Sequence, residues 1–299
     1  MSKKIVCIGE VLWDSLPGGL SLGGAPFNVA CHLNMLGEEV DICSRVGNDR
    51  LGDQVIKRAK RKNLSTEFLQ IDSNYGTGFV DVILDESGNA SYEIHEPVAW
   101  DYIQMTDDLL KKVNNSDILV YGNLAQRNDV SRKTIEYLRS MQKLNIYDVN
   151  LRPPFIDQDI IKESLQDANI VKMNDYELVK IAEWFDLSSN LQQGMKDLAI
   201  KFNCNSICIT RGSKGSVFFH NDKYTVHGGF NIKTKDTIGA GDAFLASLIY
   251  GLINEKKDED IIEFANAIGA YVASKNGATP KIDFKKISKI RKTSVLSEQ

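Results

Sequence analysis

Apolar and polar residues along this chain recur with two periods, one of two residues and one of three to four. Lys4 to Leu12 is rich in β-branched residues and runs into Trp13-Asp14, which predicts a buried first strand with Asp14 at its end. After the Gly/Pro/Leu segment from Pro17 to Gly24, Phe27, Ala30, Leu33 and Leu36 recur at helical spacing, and Gly37 is placed to end that helix. Val40 to Gly47 reads as strand, and Arg50 to Lys62 as a basic-faced helix carrying Leu51, Val55 and Ile56.

The segment from Tyr75 to His95 breaks the series. Phe79, Asp81 and Ile83, then Tyr92 and Ile94, alternate around Asp85-Glu86-Ser87-Gly88-Asn89, a hairpin signal. Such a hairpin is either a lid attached to the main sheet or an edge that caps the core. Beyond Pro97 the alternation resumes. Strands are predicted over Ile118 to Tyr121, Ile146 to Val149, Ile170 to Met173 and Ser206 to Thr210. Helices are predicted after Thr106, from Asp129, over Ile160 to Ala168, from Asn174 through Phe185, and over Leu191 to Phe202. Pro153-Pro154 forbids continuation of the strand before it. A second hairpin turns at Asn221-Asp222. Helices follow over Ala243 to Gly251 and Asp260 to Lys275, and a basic one closes the chain after Gly277-Ala278-Thr279-Pro280. The fold expected is α/β: one domain over residues 1–299 with a doubly wound, mostly parallel sheet, helices on both faces and a small β lid. The lid segments are expected around 13–24 and 75–97.

Composition narrows the classes of function. The chain has 299 residues, 42% hydrophobic and 25% charged, with a net charge of −4, which argues against a nucleic-acid binder working by bulk electrostatics. The basic Met1-Ser2-Lys3-Lys4 start leads to a short apolar run that soon meets Gly9-Glu10, so a strand is expected there and not a signal peptide. No stretch approaches 18 consecutive apolar residues, so no membrane span is expected. Cys7, Cys31, Cys43, Cys204 and Cys208 are odd in number and scattered, the pattern of reduced, buried thiols in a cytoplasmic protein. Neither they nor His32, His95, His220 and His227 have the spacing of a zinc site.

The stretch richest in chemistry is Thr234-Lys235-Asp236-Thr237-Ile238-Gly239-Ala240-Gly241-Asp242-Ala243-Phe244. Its small residues precede an apolar helix, whose first N–H groups lack partners and carry partial positive charge. An anion can approach such a turn closely, and Asp242 beside it can accept a proton, the combination phosphoryl transfer needs. Read by itself the turn has a second meaning, a capped helix start with Asp242 as N-cap. Other polar residues and glycines collect at the expected ends of strands: Asp14, Asn150 and Arg152, Asn174 and Glu177, and Thr210 to Gly215. In a parallel sheet these ends share one edge. No P-loop, no Gly-x-Gly-x-x-Gly after the first strand and no Gly-x-Ser-x-Gly elbow is present.

Four segments in order carry a resemblance to the ribokinase-like carbohydrate kinases, and within them to bacterial fructokinases. They are Gly23-Gly24-Ala25-Pro26-Phe27-Asn28-Val29-Ala30, Val46-Gly47-Asn48-Asp49-Arg50-Leu51-Gly52, Asn174-Asp175-Tyr176-Glu177, and Asp236 through Phe244. The resemblance implies that Asp242 is the base and that Gly239, Ala240 and Gly241 form the anion hole; Asn150 and Arg152 also resemble a pattern in 2-keto-3-deoxygluconate kinases, where the arginine lies near the transferred phosphate. Asp14, Gly23, Gly24, Asn28 and Asn150 would hold the sugar, with Phe79 and Tyr92 as lid contacts. Asn174, Thr210, Gly212 and Gly215 would meet ATP, and Asn266 and Gly277 its adenine. Glu177 would organise Mg²⁺ through water, and some relatives hold a monovalent cation such as K⁺ near Asp236 and Ile238. Arg211 stands where many relatives have an apolar residue.

The reaction implied is ATP-dependent phosphorylation of a primary hydroxyl, D-fructose to fructose 6-phosphate. The alternatives are a 2-keto-3-deoxygluconate, ribose or nucleoside kinase of the same family, a non-catalytic sugar sensor and, more distantly, a dehydrogenase. A small-molecule sugar is the partner implied, with neither nucleic acid nor membrane, and the pattern is compatible with a homodimer.

Overall fold

The computed structural model describes residues 3–16, 18–84, 90–142 and 144–293, with backbone only at 82–84 and 90–92; the hairpin turn expected at 85–89 and the lid contact expected of the Tyr92 side chain fall outside the described residues. Among the described residues the strands are β1 Lys4–Ile8, β2 Leu12–Leu16, β3 Gly19–Gly23, β4 Glu39–Gly47, β5 Leu69–Asp72, β6 Gly78–Leu84, β7 Ala90–Ile94, β8 Ile118–Gly122, β9 Asn145–Asp148, β10 Ile170–Asn174, β11 Ser206–Thr210, β12 Ser216–His220 and β13 Lys223–His227. The helices are α1 Ala25–Met35, α2 Arg50–Arg61, α3 Asp107–Asn114, α4 Asp129–Met141, α5 Gln158–Asp167, α6 Asp175–Phe185, α7 Leu191–Phe202, α8 Ala240–Ile253, α9 Asp258–Ala273 and α10 Phe284–Arg291.

Nine strands form one sheet in the order β13-β12-β11-β10-β9-β8-β1-β4-β5. All neighbours from β11 to β5 run parallel, and β12 and β13 close the other edge antiparallel. The alternation of side chains sorts the core into two layers. Val6, Ile8, Leu119, Tyr121, Val171 and Met173 point into the layer built with α3 to α7. Ile5, Cys7, Ile118, Val120, Ile146 and Ile170 point into the layer built with α1, α2, α8 and α9. Because β1 feeds β4 on one side while β8 to β11 extend the other, the strand order reverses between β1 and β8. Open α/β sheets bind ligands beyond the carboxyl ends of the strands at such a reversal.

The first apolar run does not stay in one strand, contrary to the expectation from its pattern. It breaks at Gly9, whose φ is +147° and where a β-carbon would stand 2.7 Å from Pro26 Cγ. The chain then enters a second sheet, ordered β3-β2-β6-β7. Asp14 therefore lies in the middle of β2, opposite Ser21 of β3, and not at the end of β1. The strands β3 and β5 carried no clear alternation and were not expected. Among the described residues no helix is long and apolar enough to cross a membrane, and all five cysteines are buried and unpaired.

The segment Val46 to Gly52 shows why its residues are needed. Asp49 caps α2, accepting from Gly52 N at 2.7 Å, and also accepts from Thr77 N and Thr77 Oγ1, both at 2.8 Å. One carboxylate thus ties β4 and α2 to the strand that enters the small sheet. Burial works against its charge, but the amides of Thr77 and Gly52 outweigh it and hold the carboxyl below the usual range. Asp49→Ala is expected to lower unfolding free energy by about 2–4 kcal/mol, from a lost cap and stranded donors. The loss should be full at neutral pH and shrink in acid, because a depressed carboxyl contributes only while ionised. Urea unfolding at two pH values measures both; a loss independent of pH would contradict the assignment.

Candidate active site

The carboxyl ends of β9, β10 and β11, the start of α1, the small sheet and the start of α8 converge on one cleft. At its centre is the turn before α8. Gly239, not Asp242, is the N-cap, with φ +77°, and no side chain caps the helix. A capping side chain would fill the space in front of the first turn; glycine leaves the N–H groups of Gly241 and Asp242 available to an anion. Asp242 sits in that first turn and accepts from Asn28 Nδ2 at 2.8 Å. The capping alternative for Asp242 therefore falls.

The turn is braced from behind. A β-carbon on Gly239 would lie 2.6 Å from Ala278 Cα and 2.7 Å from its Cβ, so only glycine fits. Ala278 O takes a hydrogen bond from His32 Nε2 at 3.0 Å; burial lowers that imidazole to a pKa of about 4 and keeps it neutral. Asp236 accepts from Ile238 N at 2.9 Å and from Gly277 N at 3.0 Å, so both its oxygens already hold backbone. Gly277, expected beside adenine, belongs to this brace and not to the nucleotide-sized cavity, a correction that follows from its bond to Asp236.

That cavity lies on one side of the turn and has a volume of about 390 Å³. Asn174, Thr210, Gly212, Gly215, Ala240, Gly241 and Asn266 line it. Asn266 shapes its wall: its amide donates to Ser216 Oγ at 2.7 Å and Ile262 O at 2.8 Å. Phe230, Asn231, Ile232 and Thr234 are also among the lining residues and were missed. The Gly228-Gly229-Phe230 run after β13 was the available signal, a break followed by an apolar residue. One guanidinium nitrogen of Arg211 donates to Lys214 O at 2.9 Å.

On the other side of the turn lie the carboxylates. Asp14 is raised to about 6, chiefly by burial, with Arg152 opposing and Asp236 and Asp242 adding to the shift. Gly23 leaves room for it: a β-carbon there would be 2.7 Å from Asp14 Oδ2. Gly24, φ +106°, likewise lets Glu10 O approach. Asn28 is buried, and its Oδ1 has no partner among the described residues. Asp242 is raised to about 6 by burial and by Asp148, against Lys172, the Asn28 bond and Arg152. Arg152 is exposed, and its charge reaches Glu10, Asp14 and Asp242. Half-buried Asn150 takes a left-handed φ of +42° at the turn out of β9.

Phe79 is a second correction. Register pairs it with Trp13, on the face of the small sheet opposite Asp14 and Val80, and it packs against the Trp13 and Leu22 cluster. Period-2 alternation makes this unavoidable once Asp14 faces the cleft.

Glu177 caps α6 reciprocally with Asn174: Asn174 N donates to one of its oxygens at 2.8 Å, and Leu151 N donates to the other at 2.8 Å. It thereby holds the loop carrying Asn150 and Arg152. Among the described residues no three His, Cys, Asp or Glu side chains cluster to hold a metal. The donor set thus fits an ion held by phosphates and water, with Glu177 as an outer partner, and does not fit a protein cage.

Three buried charges were missed: Glu10, Asp148 and Lys172. Each interrupts an apolar strand run, as in Ile170-Val171-Lys172-Met173, and that interruption was the legible signal. Lys172 Nζ lies 3.0 and 3.3 Å from the Asp148 oxygens. Burial opposes its charge, but Asp148, Glu177 and Asp242 outweigh it and raise its pKa. Glu10 Oε1 accepts from Ala25 N at 3.2 Å, while its buried Oε2 has no partner among the described residues.

The family model for pfkB family carbohydrate kinases matches residues 17–285. Fructokinase-2 of Zea mays is 27% identical over 311 residues, covering 94% of this chain and 91% of its own. A sugar kinase of Pyrococcus horikoshii, crystallised in complex with ATP, superposes with a TM-score of 0.79 at 28% identity, covering 92% of this chain and 94% of its own. A fructokinase of Xylella fastidiosa with bound ATP has the same fold, with a TM-score of 0.84 at 19% identity over 97% and 98% of the two chains. The fold is the ribokinase-like one expected, and the chain belongs to the pfkB family of carbohydrate kinases.

Burial, opposed by the amides of Glu10 and Ala25, raises the Glu10 carboxyl to about 7. A raised carboxyl favours the folded state while protonated, and that contribution is lost as pH climbs from the ordinary carboxyl range through about 7. Glu10→Gln stays neutral throughout. Its unfolding free energy should exceed wild type by roughly 2–3 kcal/mol at alkaline pH and match it in acid. Thermal melts across pH measure the gap, and a gap that does not change with pH would refute it.

Proposed function

We propose that this pfkB-family carbohydrate kinase moves the γ-phosphoryl group of ATP to a primary hydroxyl of a small sugar, D-fructose yielding fructose 6-phosphate. The observation that carries this reading is the position of the Gly239–Asp242 turn. It divides a nucleotide-sized cavity from a cleft of carboxylates and amides, and presents N–H donors and a carboxylate at the dividing line.

Asp14 and Asn28 hold the sugar hydroxyls, with Asn150 at the rim and Gly23 and Gly24 leaving room. The Asn28 amide fixes one oxygen of Asp242 and leaves the other to take the hydroxyl proton. The sugar oxygen bonds to the γ-phosphorus as the bond from phosphorus to the β-phosphate oxygen breaks, and ADP leaves. N–H groups of the turn and the Arg152 guanidinium receive the charge spreading over the phosphoryl oxygens. Glu177 and Asn174 would hold Mg²⁺ through water, and the ion would supply neutralisation of phosphate charge. A monovalent cation such as K⁺ would take the remaining lone pairs of Asp236 beside Ile238. The free thiols and the absence of a long apolar helix among the described residues accord with a cytoplasmic enzyme.

Asp242→Asn is expected to lower kcat by about 10²–10⁴ with little change in sugar affinity. Turnover close to wild type would remove Asp242 from the role of base. Both Asp242 and Asp14 must be ionised, so kcat/KM should fall as pH drops through about 6, more steeply than a single group requires. A profile flat well below that range would contradict the buried carboxylates. For the sugar, coupled ADP release is to be measured over fructose, 2-keto-3-deoxygluconate, ribose and nucleosides. Fructose is expected to give the highest kcat/KM, and a higher value for another compound would replace it.

A further inference from the structure

Lys172 is a charged side chain in the middle of a buried parallel strand, and no step above uses it. Only 6% of its surface is exposed. Its Nζ lies directly beneath the anion-binding turn: a β-carbon on Gly241 would stand 3.2 Å from Nζ and 3.9 Å from Cε. A side chain at 241 would therefore press on the ammonium, which would have to give by a few tenths of an ångström. This gives a reason for glycine there that backbone freedom does not supply, since Gly241 has ordinary helical geometry.

A buried ion pair is a poor device for stability, because an apolar pair of similar volume commonly serves as well or better. The pair Lys172–Asp148 is moreover not alone. Lys172 also feels Glu177 and Asp242, and Asp242 in turn feels Asp148 and Lys172. The placement thus joins one cation, under the turn where a phosphoryl group would arrive, to the carboxylate that would take the proton.

We propose that the Lys172 ammonium, wedged between Asp148 and the underside of Gly241, is a positioning residue of the transfer site, acting on the Gly239–Gly241 turn and on Asp242 from below. Resting on the kinase reading above, it assigns Lys172 two effects. It adds fixed positive charge behind N–H groups that face the phosphate, and it sustains the ionised form of Asp242. Asp148 opposes the second effect while holding the ammonium in place. The other groups facing Asp242 are the Asn28 amide from α1, the Arg152 guanidinium from the loop after β9, and the Glu10 and Asp14 carboxyls from the segments after β1.

The test uses the full chain and three variants: Lys172→Met, Asp148→Asn, and the two combined. The double variant carries neither charge, so it controls for an unpaired buried ion. In unliganded protein, ¹³C carboxyl resonances follow the Asp242 titration, which stands near 6 in the wild type. It is expected to move up in Lys172→Met and down in Asp148→Asn. With ATP and sugar, kcat should fall about tenfold to a hundredfold in Lys172→Met and stay depressed in the double variant, with both KM values changing far less. Two results would overturn the proposal: titrations unmoved in both single variants, or kcat restored to wild type in the double variant, which marks a purely structural pair. Should the titrations shift as stated while the wild type phosphorylates no sugar, the placement of Lys172 stands and the sugar-kinase reading falls.

Discussion

The site depends on one close contact, the packing of Ala278 against a glycine held in the left-handed region at 239. Any side chain there would meet left-handed strain of roughly 1–2 kcal/mol and would also collide with Ala278. The contact matters because it decides where α8 begins. Once Gly239 is the cap, the first N–H groups aim at the cleft and Asp242 falls in the first turn. Segments distant in sequence enforce it: His32 of α1 and Asp236 hold 277 and 278, and Lys62 Nζ donates to Thr279 O at 2.8 Å.

Around that turn the protein gathers more acids than bases. Glu10, Asp14, Asp148, Glu177, Asp236 and Asp242 share the region with Lys172 and Arg152. A cleft of that composition would repel a polyphosphate if every carboxyl were ionised and bare. Two devices prevent it. Backbone amides occupy both oxygens of Glu177 and of Asp236. Burial raises Glu10 and Asp14, so part of the negative charge is absent in mildly acid solution.

The small sheet serves the same cleft by simple alternation. One face of β2 sends Trp13 into the core, where its indole N–H reaches Leu51 O at 3.2 Å and Arg58 stacks on the ring at 4.5 Å. The other face turns Asp14 toward the site. The aromatic residue that covers the core is thus what aims the acid, and Phe79 follows Trp13 because parallel register gives it no choice.

Much of this was open to reading from the residues alone. The periods of two and of three to four placed most of the helices and the inner strands within a residue or two, because long amphipathic and buried runs admit one structure each. The turn at 239–241, the cap at Asn174 and the clustering of polar residues at strand ends were likewise legible, since glycine and capping residues act locally. What local pattern cannot carry is which distant surfaces meet. The run from Lys4 to Asp14 reads as one strand, and only contact with Pro26 breaks it at Gly9. Gly277 reads as a site residue, and only its bond to Asp236 makes it a brace. Lys172 and Glu10 interrupt apolar runs in plain view, yet their meaning lies in what stands above them after folding. The sequence by itself determined most of the elements and the chemistry available. The tertiary structure decided which charges face one another, because burial and Coulomb interaction depend on distances that the order of residues does not contain.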